Sequence, residues 1–252
     1  ISVGFSVLLS THLGNGSGEA PTDATRQAFI VILAFGLFIT LIVEFLIAPN
    51  LASWMGAEAS IRQDSTDYFR IIGSVYIFEM FLFVGGGIIR GTGDTTTPMI
   101  YNIVNNIINI VGNYLLIYRP RTVTFFGSSF HMWGAGLGVR GAAWGTAIGA
   151  VISGVFMVSA LFNKKSIVGI SLRDRYRLDG GILRRVFNLG LPASMERIII
   201  SGGQLVVTAL ATNLGTSSLA AHQLANTAES ICYMPVFAFG LSATTLVAQS
   251  LG

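Results

Sequence analysis

The stretch from Gln27 to Ala48 (QAFIVILAFGLFITLIVEFLIA) runs for twenty-two residues with a single charge, Glu44, and is closed by Pro49. A helix of about 20 apolar residues matches the hydrocarbon thickness of a bilayer. Apolar runs of similar length follow it, separated by short polar breaks. Only 11% of the residues are charged, against roughly 25% in soluble domains, and the mean hydropathy is +0.67. The chain therefore reads as all-α, a polytopic transmembrane helix bundle. Its spans share one bundle, so length does not translate into a number of soluble domains. The lone Cys232 excludes an internal disulfide. Ile1 sits inside an apolar run with no starting Met and no signal peptide, so a fragment of a longer chain is expected.

Seven segments are expected. Ile1 to about Gly14 is too short to span and reads as the second half of a helix, followed by the loop NGSGEAPTDAT. The second segment is Gln27 to Ala48, the third about Tyr68 to Ile89, and the fourth Met99 to Tyr118, started by Pro98. A longer loop with Arg119, Arg121 and His131 leads to the fifth, about Gly138 to Phe162. After a basic stretch from Asn163 to Asn188 come the sixth, Leu189 to about Asn213, and the seventh, about Ser218 to Gln249, with Pro235 inside it. Loops after the first, third and fifth segments hold nine Lys and Arg residues and the opposite side five, which places loops 15–26, 90–98 and 163–188 in the cytoplasm. Within the basic stretch, Ile182, Leu183, Val186 and Phe187 recur at helical spacing beside Arg184 and Arg185, the pattern of an interfacial helix. A weak echo links LLSTHLG, closing the first segment, to LVAQSLG, closing the last, and transporters are often built from such repeats.

The fourth segment carries Asn102, Asn105, Asn106, Asn109 and Asn113. Asparagine is a poor helix former and costly to bury unpaired. On a helix Asn102, Asn106, Asn109 and Asn113 fall within an arc of about 60°, and Asn105 widens it to about 100°. Such a face points at other helices or water rather than at lipid. Interhelical hydrogen bonding would account for one or two of the five, and a water-filled or ion-binding face for all of them. The fifth segment carries Gly141, Gly145, Gly149 and Ser153 at four-residue spacing, a ridge for close helix approach.

Acids inside apolar segments are expensive and usually functional. Glu79 falls near the centre of the third segment, Glu196 in the sixth beside Arg197, and Glu229 in the seventh before Pro235. Gln204 lies two turns beyond Glu196, close to the same face. For Glu196 a local ion pair and a role in proton or cation handling are both open. Glu44, near the outer end of its run, reads as an interfacial residue that snorkels. His12, His131 and His222 form no metal-ligand spacing, and there is no nucleophile elbow, P-loop or Cys cluster, so the chain does not read as an enzyme. The glycines at 85–87 and 91–93 follow a helix rather than a strand, against a dinucleotide site. Nothing suggests nucleic-acid binding, and no cofactor is expected.

RGTGDTTTPM followed by NIINIVGNYLLIY resembles the multidrug and toxic compound extrusion (MATE) transporters around their fourth and fifth helices. GVRGAAWGTAIG resembles the start of the sixth helix, LGLPASMERIII the seventh, and LGTSSLAAHQLANTAESICYMPVFAFGLSATTLVAQSLG the turn into the eighth and that helix itself. The resemblance implies a twelve-helix fold of two six-helix lobes, of which this chain holds late helix two to helix eight. Residues 1–162 would form most of the N-lobe, 163–188 a cytoplasmic inter-lobe linker and 189–252 the start of the C-lobe. It also implies efflux of cationic or amphipathic small molecules in exchange for H⁺ or Na⁺, from a monomer in the inner membrane. The family's ion or proton site combines an acid on helix one, absent from this sequence, with a helix-five pair that falls on Asn109 and Asn113 and a helix-six threonine that falls on Thr146. The same resemblance makes Glu196 and Gln204 lining of the drug cavity, with Glu79 and Glu229 as further candidates. Lipid-linked oligosaccharide flippases of the same superfamily are the alternative, but those favour cationic cavities, and the deep polar residues here are acids and amides. A polytopic membrane enzyme is the remaining alternative class.

Overall fold

The computed structural model describes residues 2–15, 20–54, 59–125, 128–163, 167–171, 173, 178–213 and 215–251. In chain order the helices are Ser2–Gly14 (α1), Ala20–Ile42 (α2), Ala48–Trp54 (α3), Ala59–Ser74 (α4), Tyr76–Met80 (α5), Gly86–Gly91 (α6) and Thr96–Leu116 (α7). An antiparallel hairpin of Arg121–Phe125 (β1) and Ser128–Met132 (β2) follows, then Val139–Leu161 (α8), Gly180–Asn213 (α9) and Thr216–Leu251 (α10). Among the described residues three stretches, Pro21–Leu51, Val139–Leu161 and Ala220–Leu251, are long and apolar enough to cross a membrane. The bent pair Arg62–Ser74 and Tyr76–Gly91 makes a fourth when taken as one span. α7, diluted by its asparagines, is not among them, yet it makes its most extensive contact with the spanning helix α8. The molecule is a helical, multi-pass membrane bundle.

Four expectations about boundaries are corrected. Helical structure continues through Pro49 rather than ending there, because residues 43–47 widen into a π-helical turn between α2 and α3. Proline lacks an N–H and its ring clashes with the carbonyl four residues back. The wider turn absorbs this: Ala48 N–H bonds the Val43 carbonyl five residues back, and the Asn50 side-chain amide donates to the Leu46 carbonyl at 2.8 Å. The third segment starts earlier than Tyr68 and is broken, bending by 52° around Val75. Gly73 and Ser74 lie at the break, where Ser74 Oγ donates to the Ile71 carbonyl at 2.8 Å. Gly/Ser pairs are a recognised cause of sharp kinks. A second π turn, Phe81–Gly85, follows Met80. The loop after α7 holds a β-hairpin, with Arg121 stacked over the rings of Tyr114 at 4.5 Å and Tyr118 at 3.7 Å. Finally, residues 180–188 of the expected linker belong to α9, so the pattern at Ile182 to Phe187 continues the seventh-helix rod. Residues 16–19, 164–166, 172 and 174–177 of the two basic loops lie outside the described residues.

The core gathers at the end of the bundle that carries the basic loops. Phe5, Leu8 and Leu9 of α1 pack with Ala24, Ala28 and Ile32 of α2, Ile88 and Ile89 of α6, Met157 and Leu161 of α8, and Val186 of α9. Phe29 braces this layer, its ring 5.5 Å from Phe81 and 5.3 Å from Phe162. Of the glycines at 85–87 and 91–93, whose place after a helix argues against a dinucleotide site, Gly85, Gly87 and Gly91 are close contact points, while Gly93 has open space around it. A Cβ on Gly85 would meet Met157 Cγ at 2.8 Å, and one on Gly91 would meet the Ser6 carbonyl at 2.9 Å. α1 supplies the matching small side chains: Ser2 Oγ donates to the Phe83 carbonyl at 3.1 Å and Ser10 Oγ to that of Gly91 at 3.0 Å. The two echoing segments, α1 and α10, pack against each other.

At the opposite end, ion pairs tie the kinked helix to its neighbours. Arg140 of α8 pairs with Asp67 of α4, and Arg70 Nε lies 3.9 Å from Glu44 Oε1. Glu44 therefore turns inward toward α4, with its Oε2 buried, instead of reaching along the surface.

Candidate functional site

α7 and α8 lie side by side because each offers the other a small residue. A Cβ on Gly112 would sit 2.9 Å from Gly145 Cα, and one on Gly145 would sit 2.9 Å from the Asn113 backbone N. A Cβ on Gly149 would lie 3.0 Å from the Asn105 carbonyl oxygen. The glycine ridge is thus a seam for close approach, and it brings the amides of α7 against the α8 backbone.

That contact sorts the five asparagines into two stripes. Asn102 and Asn106 turn back on their own helix, their Nδ2 atoms donating to the Pro98 and Asn102 carbonyls at 2.8 and 2.9 Å. Asn105, Asn109 and Asn113, one turn apart, face α8. Asn105 therefore belongs with Asn109 and Asn113 in register and not with the two back-bonded residues.

Asn109, Asn113 and Thr146 form one connected chain. Thr146 Oγ donates to the Ala142 carbonyl at 3.1 Å, which leaves its oxygen free to accept. Asn109 Nδ2 donates to it at 2.8 Å. That fixes the Asn109 amide with its oxygen toward Asn113, whose Nδ2 donates to Asn109 Oδ1 at 3.1 Å. Every donor direction follows from the first, so the chain ends on an acceptor: Asn113 Oδ1, buried and without a hydrogen-bond partner among the described residues. An amide oxygen has two lone pairs, and a buried polar atom without a partner costs about 1–3 kcal/mol. Asn109 Oδ1 and Thr146 Oγ each keep one further acceptor position. Three neutral hard oxygens directed into a protein interior suit a small hard cation or a proton donor such as a carboxylic acid or water.

Gly145 is the residue that sequence reasoning left out of the site. A Cβ there would come within 2.5 Å of Asn113 Oδ1. Its signal was present as the four-residue glycine spacing, but only the register between two helices shows which asparagine each glycine faces.

The other four candidates are not gathered here. Glu79 lies on α5, half-buried, between the break at Val75 and the second π turn. Glu196 and Gln204 are exposed on α9, and Glu229 is exposed on α10. No hydrogen bond or ion pair among the described residues joins these four to one another or to the amide chain. Arg197 does not pair with Glu196; its guanidinium lies 4.7 Å over the ring of Phe237 on α10. Beyond the spans, Asp94 organises the turn before α7, its Oδ1 accepting from Thr96 and Thr97 N–H at 3.0 Å each and its Oδ2 from Thr97 Oγ at 2.6 Å. The Thr97 hydroxyl, helped by the two amides, holds the Asp94 carboxyl below its ordinary range, against the opposing effect of burial.

The chain resembles known proteins over its whole length. It is 25% identical over 263 residues to a probable multidrug resistance protein NorM of Thermotoga maritima, a match covering 100% of this chain and 51% of that relative. It thus spans about half the length of the curated relatives it matches. Among solved structures it superposes on an outward-facing multidrug resistance MATE family transporter of the MOP superfamily with a TM-score of 0.79 at 25% identity, covering 98% of this chain and 51% of that one. The inward-facing form of such a transporter matches with a TM-score of 0.68 at 26% identity, covering 86% and 46%. The MatE family model matches residues 1–115 and 192–252, which include the five asparagines of α7, α9 from Pro192 onward and the whole of α10. By sequence, by fold and by the stretches matched, this chain belongs to the MatE family.

Proposed function

We propose that this chain is the central part of a secondary multidrug efflux antiporter, exporting cationic or amphipathic compounds in exchange for H⁺ or Na⁺ by alternating access. The observation that carries the coupling role is the hydrogen-bonded run from Ala142 through Thr146 and Asn109 to Asn113, ending on a buried oxygen with no partner. That oxygen and its two neighbours form one half of an ion site. These groups are neutral, so in this reading the titrating carboxylate is the one that the family likeness implies on its first helix. With that acid ionised, the amide and hydroxyl oxygens complete the shell of a Na⁺ ion. With it protonated, its O–H donates a hydrogen bond to Asn113 Oδ1. Either occupant removes the cost of the buried acceptor, so filling the site changes the stability of the α7–α8 seam. That change is what couples it to movement of the lobes.

In this reading Glu196, Gln204, Glu229 and Glu79 line the substrate cavity, where exposed acids attract cationic compounds. The protein acts as a monomer in the inner membrane with the basic loops in the cytoplasm, needs no cofactor, and performs no covalent chemistry. The names of its relatives support drug efflux, and the solved outward- and inward-facing transporters support alternating access. The test is Asn113→Leu in the full-length protein, assayed as ethidium efflux from vesicles under an imposed pH or Na⁺ gradient. Gradient-driven efflux is lost while expression and membrane insertion are kept; efflux at the wild-type rate overturns the site.

A further inference from the structure

The carbonyl of Gly91 ends α6 and, like other carbonyls of a final helical turn, has no partner further along its own helix. It receives two outside donors from different parts of the chain. Ser10 Oγ of α1 donates at 3.0 Å, and Gln249 Nε2 of α10 donates at 3.2 Å across 158 positions of sequence. Close by, α1 meets α9 at a point where a Cβ on Gly4 would stand 2.5 Å from the Val186 carbonyl oxygen, and Val186 itself is only 3% exposed. At the end of the bundle bearing the basic loops, helices from before residue 162 are thus closed against α9 and α10.

We propose that Gln249 is a latch for this closed end: its amide, held on the Gly91 carbonyl, is the polar bond between α6 and α10 that must break when the two lobes part toward the basic loops. Around it the contact is mostly apolar and small-residue packing, which resists separation but has no direction; the Asp179 N–H donates to Gln27 Oε1 at 3.1 Å, a second polar bond that joins α2 to the start of α9 rather than α6 to α10. The Gln249 bond is directional and reaches a carbonyl whose other side-chain donor among the described residues is Ser10, which shares its one proton with the Ser6 carbonyl at 2.9 Å. Ser10 moves with α6, so its bond survives opening; Gln249 moves with α10, so its bond does not. The latch rests on the transporter reading, because it presumes two lobes that separate.

The experiment uses the full-length protein with Cys232→Ser and a reporter, Val186→Cys, which is shielded while the end is closed. Maleimide modification of the reporter is timed in four backgrounds: unaltered, Gln249→Met, Gln249→Ala and Ser10→Ala. Gln249→Met keeps the volume and loses the donor, so it speeds modification about fivefold, the equilibrium weight of one neutral hydrogen bond. Gln249→Ala, a second route to the same loss, speeds it at least as much. Ser10→Ala leaves the rate within about twofold. Unchanged rates in both Gln249 variants, or an equal increase with Ser10→Ala, overturn the latch. Ethidium efflux by the unaltered protein is measured in parallel: its absence refutes the transporter reading, whereas efflux with a Gln249-independent labelling rate refutes the latch alone.

Discussion

Gly145→Ala tests whether the α7–α8 seam and the amide chain are one device. The added Cβ lies 2.5 Å from Asn113 Oδ1, 2.9 Å from the Asn113 backbone N and 3.1 Å from the Gly112 carbonyl carbon. Non-bonded carbon contacts are comfortable at about 3.5–4.0 Å. The Asn113 side chain can rotate away from the first contact, but the second and third involve main chain, so α7 must also recede by on the order of 0.5 Å or more. Overpacking of this kind costs about 1–3 kcal/mol, offset by the roughly 0.5–1 kcal/mol that alanine gains over glycine inside a helix. A net loss of about 1 kcal/mol follows, with Asn113 turned off its bond to Asn109. Gly149→Ala is the matched control. Its Cβ lies 2.6 Å from Asn105 Oδ1 and 3.0 Å from the Asn105 carbonyl oxygen, so it strains the same seam one turn away and meets the amide chain only as an ordinary 3.6 Å contact with the Asn109 backbone N. Melting temperatures in detergent and gradient-driven efflux in proteoliposomes are measured for both variants of the full-length protein. Both melt a few degrees lower, and Gly145→Ala alone loses its dependence on the ion gradient. Wild-type ion dependence in Gly145→Ala, or equal loss in Gly149→Ala, refutes the reasoning.

Three other outcomes are expected. Asp94→Ala removes the carboxylate that caps the start of α7 and lowers stability by about 1 kcal/mol at neutral pH. Because the fold depresses the Asp94 pKa, that contribution is present above the unfolded value of about 3.9 and is lost as pH falls through the folded value, so the melting difference between variant and wild type narrows below about pH 4. Arg121→Ala removes the cation seated over Tyr114 and Tyr118, each contact worth about 0.5–1 kcal/mol at an exposed site, and the 121–132 hairpin becomes faster to cleave in limited proteolysis. Glu196→Gln shifts the pH or substrate profile of efflux, and superimposable profiles would remove Glu196 from the cavity.

The spans were legible because lipid enforces a simple rule: every backbone group must be satisfied within the helix, so apolar length predicts a helix. The same rule explains why Pro49 misled. In water a proline often ends a helix, since freed carbonyls are hydrated. Between Ile42 and Ala48 the chain keeps its bonds by widening a turn. The break at Val75 had its signal in Gly73–Ser74, two small residues where a Cβ on Gly73 would meet Val43 Cγ1 at 2.7 Å. The bend and the first π turn therefore sit against each other, a coincidence that no reading of either segment alone contains. The hairpin at 121–132 was missed for the opposite reason: it lies in a loop, where hydropathy carries no periodic signal, and the cation–π contacts that hold Arg121 come from Tyr114 of α7 and Tyr118 just beyond its end.

The candidate site shows where such reading stops. That Asn109 and Asn113 form a pair, and that Thr146 stands opposite, followed from family likeness; spacing alone left five asparagines on one broad face. Register decides among them. The glycine ridge of α8 sets which turn of α7 it meets, and Asn105, Asn109 and Asn113 face the seam while Asn102 and Asn106 bond their own helix. Direction then comes from one hydroxyl. Because Thr146 gives its proton to Ala142, both amides must point the same way, and the last oxygen is left without a partner. Thr146→Val follows as a consequence of that polarity. It keeps the shape, removes the acceptor that orients Asn109, and lets both amides flip so that Asn113 presents N–H instead of oxygen. A site presenting N–H to a cation repels it, so Thr146→Val loses ion binding by more than the single ligand it deletes, whereas Thr146→Ser restores it. Ion affinity equal in Thr146→Val and wild type would show that the hydroxyl does not set the direction of the chain.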